Sequence, residues 1–227
     1  MSKEGRCLGL IGGLGPLATM HYYRELVAAH EKQGRVLRLL IAQADIARVY
    51  AFVNAKDFDG LARYLAGLAA NMAAGGAELT AIVAATPHIC APQLVALSSL
   101  PLIDMLVEVA KAIRAHGLKR VALLGTRTTI ETRMFGGLGD VEVVMPAAGE
   151  IDRVHAIYMD IVAGRGTAAQ TDELRDLAQT FVKRDGAEVV LLAGTDLTTV
   201  MTESTAGFPA LDCARVHIDA IVRRLLD

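Results

Sequence analysis

Two apolar runs in this chain break off in the same way. Residues 81–85 (AIVAA) lead into Thr86, Pro87, His88 and Cys90, and residues 189–193 (VVLLA) lead into Gly194, Thr195 and Asp196. Uninterrupted apolar residues of this length suit parallel strands covered on both faces. Pro87 is tolerated where a strand has just released its ladder or a helix begins. In open α/β sheets, ligands bind at the carboxyl ends of such strands. Two strand ends built alike therefore predict two halves of one site.

The rest of the chain repeats around these runs. Residues 8–11 run into Gly12-Gly13-Leu14-Gly15-Pro16, with helical spacing over 17–30, and residues 120–124 run into Gly125-Thr126, with a helix near 130–135. Further strands are expected at 36–44 and 141–145. Helices are expected at 57–74, at 105–116 behind Asp104 as N-cap, at 150–162, at 171–185 and after Asp212 as far as Leu226. Gly12 answers Gly125, Thr86 answers Thr195, Pro101 answers Pro209 and Asp104 answers Asp212, each pair separated by roughly 110 residues, as an internal duplication requires. The expected fold is α/β: two pseudo-symmetric three-layer domains with parallel sheets, and a site in the cleft where they face each other. The first domain is assigned to residues 1–104 with 209–227, and the second to 105–208.

Composition narrows the function. A net charge of −2 and aromatics at 4% offer neither a basic stripe nor a stacking platform, so nucleic acid is set aside as a partner. No apolar run approaches the roughly 18 to 20 residues of a membrane span, and the charged start enters a strand without the apolar core of a leader. No membrane association and a cytoplasmic location are expected. Cys7, Cys90 and Cys213 have no metal or redox spacing and read as free thiols, and no metal site is expected. Cys90 is expected to face helix packing. His21, His116, His155 and His217 are expected on helix surfaces.

The glycine turn at residues 12–15 matches neither the dinucleotide fingerprint nor the P-loop. Its readings are a carboxylate site, where Gly12 and Gly13 let backbone N–H groups approach a ligand, or a tight turn alone. Arg48, four residues past the second strand, is either a carboxylate clamp or a solvated arginine.

These residues resemble the aspartate/glutamate racemase superfamily over almost the whole chain. Residues 11–19 (IGGLGPLAT) are similar to its IGGMGPLAT signature with one Met-to-Leu change. Residues 84–88 (AATPH) stand where the family has C-N-T-x-H, and 192–197 (LAGTDL) where it has L-G-C-T-E-L. The resemblance implies an isomerase that racemises acidic amino acids without pyridoxal phosphate, metal or other cofactor, commonly as a homodimer. One cysteine from each domain would act, one thiolate taking the α-proton and the opposite thiol returning one. It also implies that Arg48, Thr86 and Thr195 bind the substrate.

The sequence departs from that pattern at both cysteines. Ala84 holds the first position and Gly194 the second, and neither carries an exchangeable proton; Ala85 replaces an Asn that would help bind carboxylate. His88 and Asp196 are the candidate catalytic substitutes. A helix N-terminus would hold His88 toward a neutral base, and Asp196 stands where the family has Glu. The expected ligand is a small carboxylate or amino acid. The expected function is a racemase-family enzyme with altered chemistry, with a lyase or decarboxylase, a non-catalytic dicarboxylate or amino-acid binder, and conventional racemisation as alternatives.

Overall fold

The computed structural model describes residues 5–136 and 141–226, so the charged start at residues 1–4 lies outside it. The chain forms two compact units: the described part of Met1–Asp104 with that of His217–Asp227, and Met105–Val216.

The first unit runs β1 (Cys7–Gly12), α1 (Pro16–Lys32), β2 (Arg38–Gln43), α2 (Ile46–Asn54), α3 (Phe58–Ala74), β3 (Leu79–Ile82), α4 (Ala91–Leu97) and β4 (Leu102–Ile103). Its four strands are parallel in the order β2-β1-β3-β4. Position in the sheet explains their composition. Central β1 and β3 are buried throughout, whereas edge strand β2 exposes Arg38, Ile41 and Gln43. Asp57 caps α3 by accepting from the Gly60 N–H at 2.8 Å, and Asp45 caps α2 through the Ala47 and Arg48 N–H groups. The apolar stripe of α3 packs Leu61, Leu65, Ala69 and Met72 into a core with Ile11, Ile82 and Leu94. Each large side chain buried there contributes about 1.5–3 kcal/mol.

The second unit repeats this plan with α5 (Met105–Ala115), β5 (Arg120–Leu124), α6 (Arg127–Glu131), β6 (Glu142–Val143), α7 (Ala148–Val162), α8 (Ala168–Lys183), β7 (Val189–Leu192) and β8 (Ala210–Asp212). Helix α9 (Cys213–Leu226) starts in it and passes into the first unit. Its sheet order is β6-β5-β7-β8, again all parallel.

The duplication extends to single hydrogen bonds. Thr80 N–H donates to the Pro101 carbonyl and Val190 N–H to the Pro209 carbonyl, both at 2.9 Å. Val83 donates to Ile11 as Ala193 donates to Leu124. The Glu78 carboxylate accepts from the Cys7 N–H, and that of Glu188 from the Lys119 and Arg120 N–H groups. The matched prolines thus supply carbonyls that start the outer strand of each sheet.

Two features differ from the sequence expectation. Residues 46–54, to which no element was assigned, form α2, and this helix carries Arg48. The chain re-enters the first unit at His217, not at residue 209, because Val190 pairs with Ala210 and ties β8 to the second sheet. Among the described residues no helix is long and apolar enough to cross a membrane.

Candidate functional site

In the first unit the chain leaves β3 and turns at Ala84 and Ala85 into a single 3₁₀ segment, Thr86–Cys90. Ala84, Thr86 and His88 are all buried. The His88 ring is held by the Ala84 carbonyl, which accepts from Nδ1 at 2.8 Å. A carbonyl can only accept, so Nδ1 carries the proton and Nε2 keeps its lone pair in the neutral ring. That Nε2 lies 4.0 Å from the Asp104 carboxylate. Burial lowers the pKa of His88, opposed in part by Asp104 and the carbonyls of Ala84 and Ala85. The result is a neutral, oriented imidazole with a carboxylate placed to stabilise its protonated form.

Behind it lies His217, expected on a helix surface but fully buried. Its Nε2–H donates to the Ile103 carbonyl at 2.9 Å, so Nδ1 accepts from the Tyr22 hydroxyl at 3.1 Å. The two imidazoles meet edge to face with centroids 6.0 Å apart. Burial, with His88 as neighbour, pushes the His217 pKa down to about 3.

The glycine turn is explained by the chain's own side chains. The Gly13 N–H donates to Thr19 Oγ1 at 3.0 Å, and the Thr19 hydroxyl donates to the Gly15 carbonyl at 3.0 Å. A Cβ on Gly12 would stand 2.6 Å from Thr19 Cγ2, and one on Gly13 would meet the Gln43 amide at a φ of +80°. Arg48 is exposed, its guanidinium 4.4 Å from the Tyr64 ring centroid and 5.7 Å from that of Phe52. Its charge rests on two aromatic faces.

In the second unit β7 ends at Leu192, and a 3₁₀ segment, Thr195–Thr199, follows Gly194. Thr195 and Asp196 are buried, Asp196 completely. Gly194 has an ordinary extended backbone, φ −115° and ψ 121°, so its conformation does not demand glycine. Space does. A Cβ there would lie 2.7 Å from Tyr158 Oη and closer still to ring carbons Cε2 and Cζ. Tyr158 reaches this place from α7, is itself buried, and donates its hydroxyl to Asp196 Oδ2 at 3.4 Å. Asp212 caps the start of α9 through the Ala214 and Arg215 N–H groups, and burial raises its pKa.

The cysteines are not reactive groups. All three are buried. Burial pushes the Cys90 thiol up to about 12 while its Sγ donates to the Pro87 carbonyl at 3.2 Å, and burial also raises Cys213 well above the ordinary thiol range. Among the described residues no group of three or more His, Cys, Asp or Glu could hold a metal ion.

The sequence model of the family described as Asp/Glu/hydantoin racemase matches residues 11–221. The chain belongs to the Asp/Glu/hydantoin racemase family. Three solved structures show the family fold at low identity. A Yersinia pestis protein provisionally assigned as an Asp/Glu racemase has a TM-score of 0.84 and 24% identity, over 98% of this chain and 100% of its own. An aspartate racemase homologue from Pyrococcus horikoshii has a TM-score of 0.80 and 24% identity, over 98% and 100%. The aspartate racemase of Picrophilus torridus has a TM-score of 0.74 and 20% identity, over 96% and 94%.

In this racemase-family chain, one strand end gathers Ala84, Thr86 and His88 with Asp104, Tyr22 and His217, and the other gathers Gly194, Thr195 and Asp196 with Tyr158. Sequence reasoning passed over Tyr158 and Tyr22 and placed His217 on a helix surface; all three lie on helices distant in the chain from either strand end. Nothing in the sequence around them gives a sign of their partners.

Proposed function

We propose that this protein is a cofactor-independent acid/base enzyme, an isomerase of small carboxylates or amino acids, in which His88 and Asp196 work where family members use cysteines at positions 84 and 194. The observation that carries this reading is that each strand end keeps one buried titratable side chain beside a residue unable to move a proton. His88 bonds the Ala84 carbonyl, and Asp196 lies two residues past Gly194. His88 follows position 84 by four residues and Asp196 follows position 194 by two, one group after each strand end, and the proposed reaction runs in either direction with the two groups exchanging roles.

A neutral His88 accepts a proton at Nε2, and the nearby Asp104 carboxylate favours the imidazolium that forms. An ionised Asp196 acts as the second base. In the reaction the substrate Cα–H bond breaks, the proton passes to one of these groups, and the electron pair spreads into the adjoining carboxylate. Thr86 and Thr195 are proposed to donate hydroxyl hydrogen bonds to that carboxylate, with Arg48 as its distant cation and the turn at Gly12 and Gly13 as a wall.

The test is enantiomer formation from L- and D-aspartate and glutamate, followed by chiral chromatography. The wild-type protein is expected to convert at least one pair, and His88→Gln and Asp196→Asn to lower the rate by about 10²–10⁴-fold. Wild-type rates in both variants would remove these residues from the chemistry. A second reading is favoured by the methyl and hydrogen at positions 84 and 194: a binder that has lost catalysis, recognised by a raised melting temperature with either amino acid and no product. Consumption of substrate without its enantiomer would mark a lyase instead.

A further inference from the structure

The side chain missing at Gly194 has not left a void. The ring of Tyr158 fills the space, and its hydroxyl oxygen lies 2.7 Å from where the Cβ of residue 194 would stand. A group able to move a proton is thus delivered to the end of β7 from α7 and not from the strand itself. That same hydroxyl is bonded to Asp196, fully buried and two residues along.

We infer that Tyr158 and Asp196 form a proton relay in which the Tyr158 hydroxyl touches the substrate and is the catalytic group of the second unit, with Asp196 as the ultimate proton acceptor. This rests on the reading that the protein moves an α-proton, and it changes which atom meets the substrate. The Tyr158 O–H points at the carboxylate, leaving the oxygen lone pairs to receive. As the substrate Cα–H bond breaks, its proton bonds to Tyr158 Oη, and the phenolic proton passes to Asp196 Oδ2. The electron pair left on carbon enters the substrate carboxylate as an enediolate. Asp196 ends protonated and Tyr158 is neutral before and after, so a free phenolate is never required. Reprotonation reverses the same transfers. At 3.4 Å the resting bond is long, as catalytic hydrogen bonds without substrate often are.

A ring that merely fills space makes a different prediction, because phenylalanine fills it equally well. The full-length protein and its Tyr158→Phe variant would be compared in heavy water by the loss of the α-proton signal of L- and D-aspartate. The relay predicts at least 100-fold slower exchange in one enantiomer for Tyr158→Phe, a melting temperature within a few degrees of wild type, and a Tyr158→Phe/Asp196→Asn double variant no slower than either single one. Should Tyr158→Phe fail to fold, Tyr158→Gly with added phenol takes its place. Exchange rising with phenol concentration supports the relay, and exchange indifferent to phenol opposes it. Exchange by Tyr158→Phe within threefold of an active wild type overturns the relay while leaving the acid/base reading standing. A wild type that exchanges neither amino acid overturns both.

Discussion

Gly194→Cys is expected to destabilise the protein by about 3 kcal/mol, lowering its melting temperature by about 6–12 °C. The cause is steric. The new Cβ would stand 2.7 Å from Tyr158 Oη and nearer to two ring carbons, and Tyr158 is buried. Its ring must leave a low-energy rotamer or push α7 outward, and close-packed interiors resist both. The matching change in the first unit behaves differently. Ala84→Cys adds only a sulfur to a Cβ already accommodated, so it is expected to cost less than Gly194→Cys. Removing the obstacle gives the control: in a Tyr158→Ala background, Gly194→Cys is expected to add little further loss, a strong coupling in a double-mutant cycle. Calorimetry of the four proteins measures this. A Gly194→Cys protein that melts with the wild type would mean that the Tyr158 ring swings aside freely, and the account of that strand end would fail.

Acid is expected to weaken the first unit through its paired imidazoles. His217 titrates near 6.5 when unfolded but only at about 3 when folded, so between those values the unfolded chain binds more protons. Stability therefore rises with pH across that window and is lost as pH falls through it. From pH 7 to pH 4 the contribution is on the order of 3 kcal/mol as an upper figure. His88, also lowered by burial, acts in the same direction below its ordinary range. The groups facing His217 are the Tyr22 hydroxyl, the Ile103 carbonyl and His88, with the Asp104 carboxylate on the far side of His88. In the second unit Asp212 works the opposite way, because its raised pKa favours the folded state at acid pH just above 3.8. Urea unfolding at pH 7 and pH 4 is expected to show a smaller loss for His217→Gln than for wild type, although the variant starts less stable. Equal losses would mean that His217 does not set the acid sensitivity.

The architecture was legible in the sequence because it follows from patterns repeated on every scale. Apolar runs without alternation gave parallel strands, glycine turns gave the strand-to-helix joints, and Pro101 with Pro209 marked the starts of matching outer strands. Ala84, Gly194 and Asp196 were singled out by the resemblance to the family's motifs, and His88 by its place after the first apolar run. What surrounds them was not. Tyr158 lies 38 residues from Asp196 and His217 lies 195 from Tyr22, and such contacts arise only when helices from separate parts of the chain pack on one sheet. His217 misled because a histidine in a polar stretch of helix reads as surface, whereas its two ring nitrogens here find buried partners. Helix α2 escaped the sequence reading because its nine residues are too short for a clear helical period. At Gly12 and Gly13 the space for a Cβ is taken by Thr19 and Gln43, a packing constraint that the turn's own residues do not show.

The most direct test of the central claim is α-proton exchange by the wild-type protein alone, in heavy water without added cofactor or metal. Proton NMR of L- and D-aspartate and of L- and D-glutamate would follow the Cα–H signal against time and against a sample without protein. The account predicts enzyme-dependent loss of that signal from at least one amino acid, at a rate proportional to protein concentration. An unchanged signal from all four, together with a ligand-induced rise in melting temperature, would contradict it and identify a carboxylate binder that no longer moves protons.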